Sequence, residues 1–280
     1  MIRKNMPENR NIINVKELVK SSGSRLLQRL PGFVLNGIVR IIREDEINRI
    51  LARYSDSQGV DFLTAMRREF NITIEIEGIK NLPEDGRCFF VANHPFGFAD
   101  GLVLTSIVAG KYGTFNAIGN ELFLLVPQLR PLIAAVDVFG IGNNSRQYLL
   151  ELENVYSSDV PVTHFPSGEV SRIKSGKIQD KDWEKSFISK AVSCKRNIVP
   201  IYIRGRNSLL FYLVFSCRKV IGIQANLELV LLPREFFNKR NKTIKVKIGA
   251  PVPYGTFDKT RTRSEWAQWM KSQVYRLKDN

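Results

Sequence analysis

Cys88-Phe89-Phe90-Val91-Ala92-Asn93-His94-Pro95-Phe96-Gly97-Phe98-Ala99-Asp100-Gly101 is the stretch on which the fold turns. Its first five residues form a short apolar run, the composition of a buried strand. Pro95 cannot continue a helix interior, and Gly97 admits backbone angles closed to other residues, so 93–97 reads as a turn. Residues 100–109 read as a helix, with Asp100 at or near its start. Strand, turn and helix in that order are the repeating unit of an α/β fold.

The same alternation extends outward from this stretch. Upstream, 61–70 reads as a helix and 71–77 alternates apolar and polar like a half-buried strand. Downstream, 114–118 reads as extended, 121–126 as helical, 134–139 as extended, 144–156 as helical and 160–165 as extended. Then 185–195 reads as helical, 198–203 as extended and 243–248 as an alternating strand. The last element, 263–278, starts on the capping box Thr262-x-x-Glu265. Its Trp266, Trp269, Met270, Val274 and Leu277 recur at helical spacing, a stripe read as core. The pattern predicts one α/β domain over 60–280, with a central mixed sheet flanked by helices.

A basic amphipathic helical segment over 1–59 precedes that domain. Within 26–42, basic residues alternate with Leu, Phe and Ile, and Pro31-Gly32 divides the run into two short helices. Such a run suits a helix lying in a lipid headgroup layer, and equally a helical pair packed on its own core. Charge is unevenly distributed. Residues 1–43 carry nine Lys/Arg against two Asp/Glu, 44–194 fifteen against twenty, and 195–280 eighteen against five, within a net charge of +15. Two basic ends imply a polyanionic surface as partner, whether anionic lipid or nucleic acid. Zinc-finger spacing, a helix-turn-helix signature and a glycine-aromatic RNA motif are missing from the sequence, so nucleic acid is the less expected partner. The three cysteines, Cys88, Cys194 and Cys217, form neither a disulfide framework nor a metal spacing, which fits a reducing, cytosolic setting. The sequence has no secretory signal and no run of about 20 apolar residues long enough to span a bilayer.

His94 and His164 are the only histidines, and each follows an apolar strand-like run. Strand ends are where α/β folds place their sites. A six-residue offset does not put His94 and Asp100 on one helix face, but a folded turn can bring them together. An Asp on one imidazole nitrogen would fix the tautomer and leave the other nitrogen to take a proton. The residue types alone equally allow Asp100 to be a helix cap and His94 a turn residue. The second stretch is Phe165-Pro166-Ser167-Gly168-Glu169-Val170-Ser171-Arg172. Its Pro-x-Gly turn at a strand end exposes backbone N–H groups and aims Glu169 and Arg172 outward, where they can hold an anion, or it is an ordinary surface turn. His164 reads as structural. Ser167 and Ser171 lack a nucleophile elbow, so a serine hydrolase is not expected.

Residues 93–101 followed by 165–172 resemble the lysophospholipid acyltransferase family, which includes the 1-acylglycerol-3-phosphate acyltransferases. Gly119-Asn120-Glu121-Leu122 and Pro127-Gln128-Leu129-Arg130-Pro131 resemble its second block, and Ile198-Val199-Pro200-Ile201-Tyr202-Ile203-Arg204-Gly205 its fourth. The four blocks fall in order across about 75–255. Two departures stand out. Five residues, not the family's four, separate His94 from Asp100. The third block has Ser167, Glu169 and Val170 where the family has Glu, Thr and Arg. These variants resemble the branch of ornithine- and glycine-lipid O-acyltransferases and hemolysin-like acyltransferases.

The resemblance implies acyl transfer from a thioester of acyl carrier protein or coenzyme A to a lysolipid hydroxyl, with no bound cofactor and no metal. His94 would be general base and Asp100 its partner. Arg130, Glu169 and Arg172 would contact the acceptor or its head group. Asn93, Gly97, Pro166 and Gly168 would shape the loops, and N–H groups near 166–168 would stabilise the oxyanion or seat the acceptor. A lyso-amino-acid lipid is the expected acceptor, lysophosphatidic acid the alternative within the class. A basic nucleic-acid-binding protein and a non-catalytic lipid-binding protein are the alternatives outside it. The expected location is peripheral, on the cytoplasmic side of the membrane.

Overall fold

A computed structural model of the chain describes residues 12–21, 28–136 and 145–279. Residues 1–11 and 22–27 of the expected amphipathic segment and 137–139 of an expected strand lie outside the described residues. Among the described residues nine strands run in chain order: β1 (Thr73–Glu77), β2 (Cys88–Ala92), β3 (Asn116–Asn120), β4 (Ile133–Val136), β5 (Val162–His164), β6 (Arg172–Lys174), β7 (Lys177–Gln179), β8 (Asn197–Arg204) and β9 (Thr243–Ile248). The described helices are α1 (Val15–Ser21), α2 (Gly32–Ile42), α3 (Glu44–Arg53), α4 (Gly59–Glu69), α5 (Phe98–Tyr112), α6 (Ser145–Ser157), α7 (Ser186–Ser193), α8 (Leu209–Ile221), α9 (Leu232–Phe237) and α10 (Arg263–Arg276).

Seven strands form one sheet in the order β1-β9-β8-β2-β5-β3-β4, parallel at every pairing except β8 with β9. The fold is therefore a single α/β domain with a mixed sheet flanked by helices. The central strand β2 is buried at all five residues, as its unbroken apolar sequence requires. The edge strand β1 alternates instead. It presents Glu75 and Glu77 directly opposite Lys245 and Lys247 of β9, with ion pairs of 3.0 and 3.1 Å.

The two sides of the sheet bury different clusters. Phe90, Ala92, Ile201 and Ile203 face α4 and α5 residues such as Phe62, Val103 and Val108. Phe89, Val91 and Ile198 face α7 and α10 through Phe187, Ile188, Trp266 and Met270. The aromatic stripe of α10 is thus core, and its capping box forms, with Glu265 N–H on the Thr262 hydroxyl at 3.2 Å and Thr262 N–H on the Glu265 carboxylate at 2.7 Å. Fully buried Arg196 donates to the carbonyls of Tyr156, Val160 and Ser158, closing the end of α6.

The amino-terminal helices meet this core unequally. Ile50 and Leu51 of α3 belong to it, and Gln128 donates to the Leu51 carbonyl at 3.1 Å. Buried Glu44 accepts the Val15 N–H at 2.8 Å. Helix α2 has no buried residue, and its Phe33 is 78% exposed.

Several elements differ from the sequence expectation. Helix α5 starts at Phe98, two residues before the expected 100, and Asp100 stands near its start, at the third position. Strand β3 lies two residues beyond 114–118, where Asn116 pairs with Val162. Residues 121–125 form a 3₁₀ turn, not an α-helix. The β6–β7 hairpin has Ser175 and Gly176 both at positive φ, the geometry of a tight hairpin turn. Helices α8 and α9 have no counterpart in the sequence expectation. The apolar residues of α8 lie on both its inner and outer faces, which erases the one-sided periodicity that marks a surface helix.

Candidate active site

Strands β2, β5 and β8 are neighbours and parallel, so their carboxyl ends open at one edge of the sheet. The chain leaves them as Asn93-His94, Phe165-Pro166 and Gly205-Arg206. Asn93 continues the ladder with its side chain. Its amide donates to the Ile203 carbonyl at 2.9 Å and accepts the Ile203 N–H at 2.7 Å. The turn that follows is thereby fixed to the end of β8.

His94 Nδ1 lies 3.0 Å from Asp100 Oδ2. The N–H groups of Phe96 and Gly97 donate to that same oxygen at 2.7 and 2.9 Å. Gly97 makes this possible. It sits at φ 89°, ψ −118°, and a Cβ there would meet Leu232 at 3.0 Å. Five intervening residues thus suffice to fold Asp100 back onto His94. Asp100 is fully buried, whereas 17% of the His94 side chain remains exposed. Burial raises the Asp100 pKa above its ordinary 3.8, opposed by the hydrogen bonds from His94, Phe96 and Gly97. With its acceptor oxygen facing Nδ1, ionised Asp100 favours the Nδ1–H tautomer and leaves Nε2 as the basic nitrogen.

The second loop supports the first. The Phe165 ring stacks on the His94 imidazole, with centroids 4.2 Å apart. Ser171 N–H donates to the His94 carbonyl at 2.8 Å. Asp180, buried and absent from the sequence reading, accepts the His94 N–H at 3.2 Å, the Ser171 hydroxyl, and the Trp183 indole N–H at 2.9 Å. It stands in the polar run Gln179-Asp180-Lys181-Asp182, where no sequence signal marks one carboxylate as buried. The Gly168 N–H closes the turn onto the Phe165 carbonyl at 2.9 Å instead of pointing outward, and Pro166 has no N–H. The hydroxyls of Ser167 and Ser171 donate to the Glu169 carbonyl and to Asp180.

His94, Asp100, Asn93, Gly97, Pro166 and Gly168 therefore come together at one sheet edge. The expected acceptor contacts are held elsewhere. Glu169 pairs with Lys181 at 3.0 Å on the surface. Arg172 donates to Glu228 at 3.0 Å and to the Val170 carbonyl, with its guanidinium over the Phe211 ring; one buried nitrogen, Nη2, has no partner among the described residues. Arg130 is exposed and donates to the Leu124 carbonyl at 2.8 Å. His164 is half-buried, with its ring 6.0 Å from that of the core residue Phe187. A further cation, unmarked by any sequence pattern, touches the His94 turn. Lys239 Nζ sits 4.1 Å from the Phe96 ring centroid and donates to the Arg206 carbonyl at 3.2 Å.

Comparison with known proteins adds a second line of information. Residues 17–280 match a protein family described as acyltransferase. The chain is 36% identical over 267 residues to a lyso-glycine lipid O-acyltransferase of Phocaeicola vulgatus, covering 95% of both chains. It is 35% identical to a lyso-glycine lipid O-acyltransferase of Bacteroides thetaiotaomicron, covering 95% of this chain and 97% of the other. Among solved structures it is similar to the 1-acyl-sn-glycerophosphate acyltransferase PlsC of Thermotoga maritima, at 19% identity and a TM-score of 0.46, covering 89% of this chain and 94% of that one.

Proposed function

This chain belongs to the lysophospholipid acyltransferase family and is an acyltransferase, and from that premise we propose that it acylates the hydroxyl of a lyso-amino-acid lipid, with lyso-glycine lipid as the foremost acceptor. The observation that carries the chemistry is the His94 Nδ1–Asp100 Oδ2 contact of 3.0 Å at the carboxyl edge of parallel strands. The acceptor follows from the two relatives named for lyso-glycine lipid, which match almost end to end. Lysophosphatidic acid remains the alternative acceptor.

In the proposed reaction, His94 Nε2 removes the proton of the acceptor hydroxyl as its oxygen attacks the thioester carbonyl. Asp100 keeps Nδ1 protonated and stabilises the imidazolium that forms. The tetrahedral intermediate collapses to the new ester and expels the thiolate, which takes the proton back from His94. General-base assistance of this kind is worth ~10²–10⁴ in rate. The acyl donor, a thioester of acyl carrier protein or coenzyme A, is a co-substrate rather than a bound cofactor. Asn93, Gly97, Pro166 and Gly168 shape the two loops. Of the three acceptor candidates, exposed Arg130 spends only Nε on the Leu124 carbonyl and keeps its Nη groups for a head group, whereas the unpartnered Arg172 Nη2 is buried and Glu169 would need to leave Lys181.

The enzyme is proposed to work as a peripheral protein on the cytoplasmic face of a membrane. None of the helices among the described residues is long and apolar enough to cross one. The basic amino-terminal segment, with the largely uncovered α2, would lie against anionic lipid.

The test is acyl transfer from labelled acyl carrier protein, and separately from acyl-CoA, to lyso-glycine lipid, lyso-ornithine lipid and lysophosphatidate. Wild type should prefer the lyso-amino-acid acceptors, and a folded His94→Ala variant should lose turnover by at least about two orders of magnitude. Undiminished turnover in that variant would remove His94 from the mechanism. No turnover by wild type on any acceptor would sink the acyl-transfer reading and favour a lipid-binding or nucleic-acid-binding protein.

A further inference from the structure

We propose that α8 is a lipid-docking surface, seating the enzyme on an anionic bilayer directly beside the His94 loop. The helix divides cleanly by burial. Phe211 and Tyr212 point inward, while Leu209, Leu210, Leu213, Val220 and Ile221 are exposed, with Leu209 at 77% and Val220 at 88%. Leu209, Leu213 and Val220 recur at the four- and seven-residue steps of one helical face. The outer face also carries exposed Cys217. At 13 residues the helix is about 20 Å long, too short to cross a bilayer and suited to lying in its interface.

Three features make lipid the occupant rather than another protein. Residues 204–227 contain four Lys/Arg and no Asp or Glu. Of these, Arg204, Arg206 and Lys219 are exposed, which matches an anionic headgroup layer below an apolar contact. Exposed apolar residues also occur on its neighbours, because α2 and α8 both pack on the 3₁₀ turn Leu227–Leu231, and Phe33 of α2 and Leu227 of the turn are exposed. Finally, the inner side of α8 rests on the site. Phe211 and Tyr212 cluster with Val170 and Leu232, the side chains against which Gly97 packs. A lipid surface at α8 would place a lysolipid hydroxyl one layer of side chains from the catalytic turn.

The proposal rests on the acceptor being a membrane lysolipid, yet the two can fail separately. Binding is read on vesicles that contain no acceptor, and turnover in detergent micelles that contain no bilayer. The full chain, carrying Cys194→Ser, would be labelled at Cys217 with a polarity-sensitive fluorophore, Cys88 being buried. Phosphatidylcholine vesicles containing phosphatidylglycerol should shift its emission to the blue, and brominated acyl chains should quench it. Leu213→Glu and Val220→Glu should each weaken vesicle binding about tenfold and leave turnover on micellar acceptor unchanged. A label that stays in water while the protein binds vesicles, or variants that bind as wild type does, would overturn the proposal. So would an emission shift that depends on protein concentration without lipid, which would assign the face to a second copy of the chain.

Discussion

At the residue scale the proposed site centres on one carboxylate oxygen that faces three nitrogens. Asp100 Oδ2 faces His94 Nδ1 and the N–H groups of Phe96 and Gly97. An amide can replace its geometry but not its charge. Asp100→Asn should therefore keep its fold by circular dichroism and lose ~10²–10⁴ in kcat, because the imidazolium is no longer stabilised. Gly97→Ala tests the turn itself. A Cβ at φ 89° is strained and 3.0 Å from Leu232, so destabilisation of about 1–3 kcal/mol in chemical denaturation is expected, with a fall in kcat. Asp180 acts at one remove, through the His94 backbone and Ser171. Asp180→Asn should lower kcat about 10–100-fold by displacing the ring, with the shape of the pH–rate profile retained. An unchanged kcat would reduce Asp180 to a purely structural link.

At the element scale, strand β5 carries a titrating group away from the chemistry. Burial pulls the His164 imidazole from 6.5 down to about 4. The unfolded chain takes up this proton first as pH falls. The stability that follows from neutral His164 is full above about pH 6.5 and lost progressively toward pH 4, at most about 3 kcal/mol over that window. Urea unfolding between those pH values should show the loss, and His164→Phe should flatten it; an equal slope in the variant would mean that other groups titrate. Helix α10 offers a test of local structure free of catalysis. Thr262→Ala removes the capping box seen at its start and should cost about 1 kcal/mol with turnover intact.

On the scale of the whole molecule, the proposed membrane association would divide its work between the charge of +15 and the exposed apolar residues of α2 and α8. The charges act at long range and are screened by salt, while apolar contact is not. Vesicle binding should thus fall as salt rises from about 0.05 to 0.5 M, and the remainder at high salt should be the part lost in Val220→Glu. Complete loss of binding at high salt would make the association purely electrostatic.

Much of this protein was legible locally. Strand β2 announces itself because a strand buried on both faces must be apolar throughout. The β9 strand and the capped α10 are equally plain, since alternation and capping are properties of neighbours in sequence. The His94 turn was recognisable as a turn from Pro95 and Gly97. Contacts between distant residues were not. Asp180 lies 86 positions from His94, and Arg172 turned inward because Glu228, 56 positions away, accepts from it. Neither choice leaves a trace in spacing or composition, since any surface carboxylate or guanidinium reads the same until the chain closes. Helix α8 stayed hidden because its solvent side is as apolar as its core side. The sequence by itself determined the alternation of elements and the residue types at the strand ends. Only the tertiary structure decided which charges are buried as partners and which apolar face stays uncovered, because both are set by what packs across the sheet edge rather than by what is adjacent in the chain.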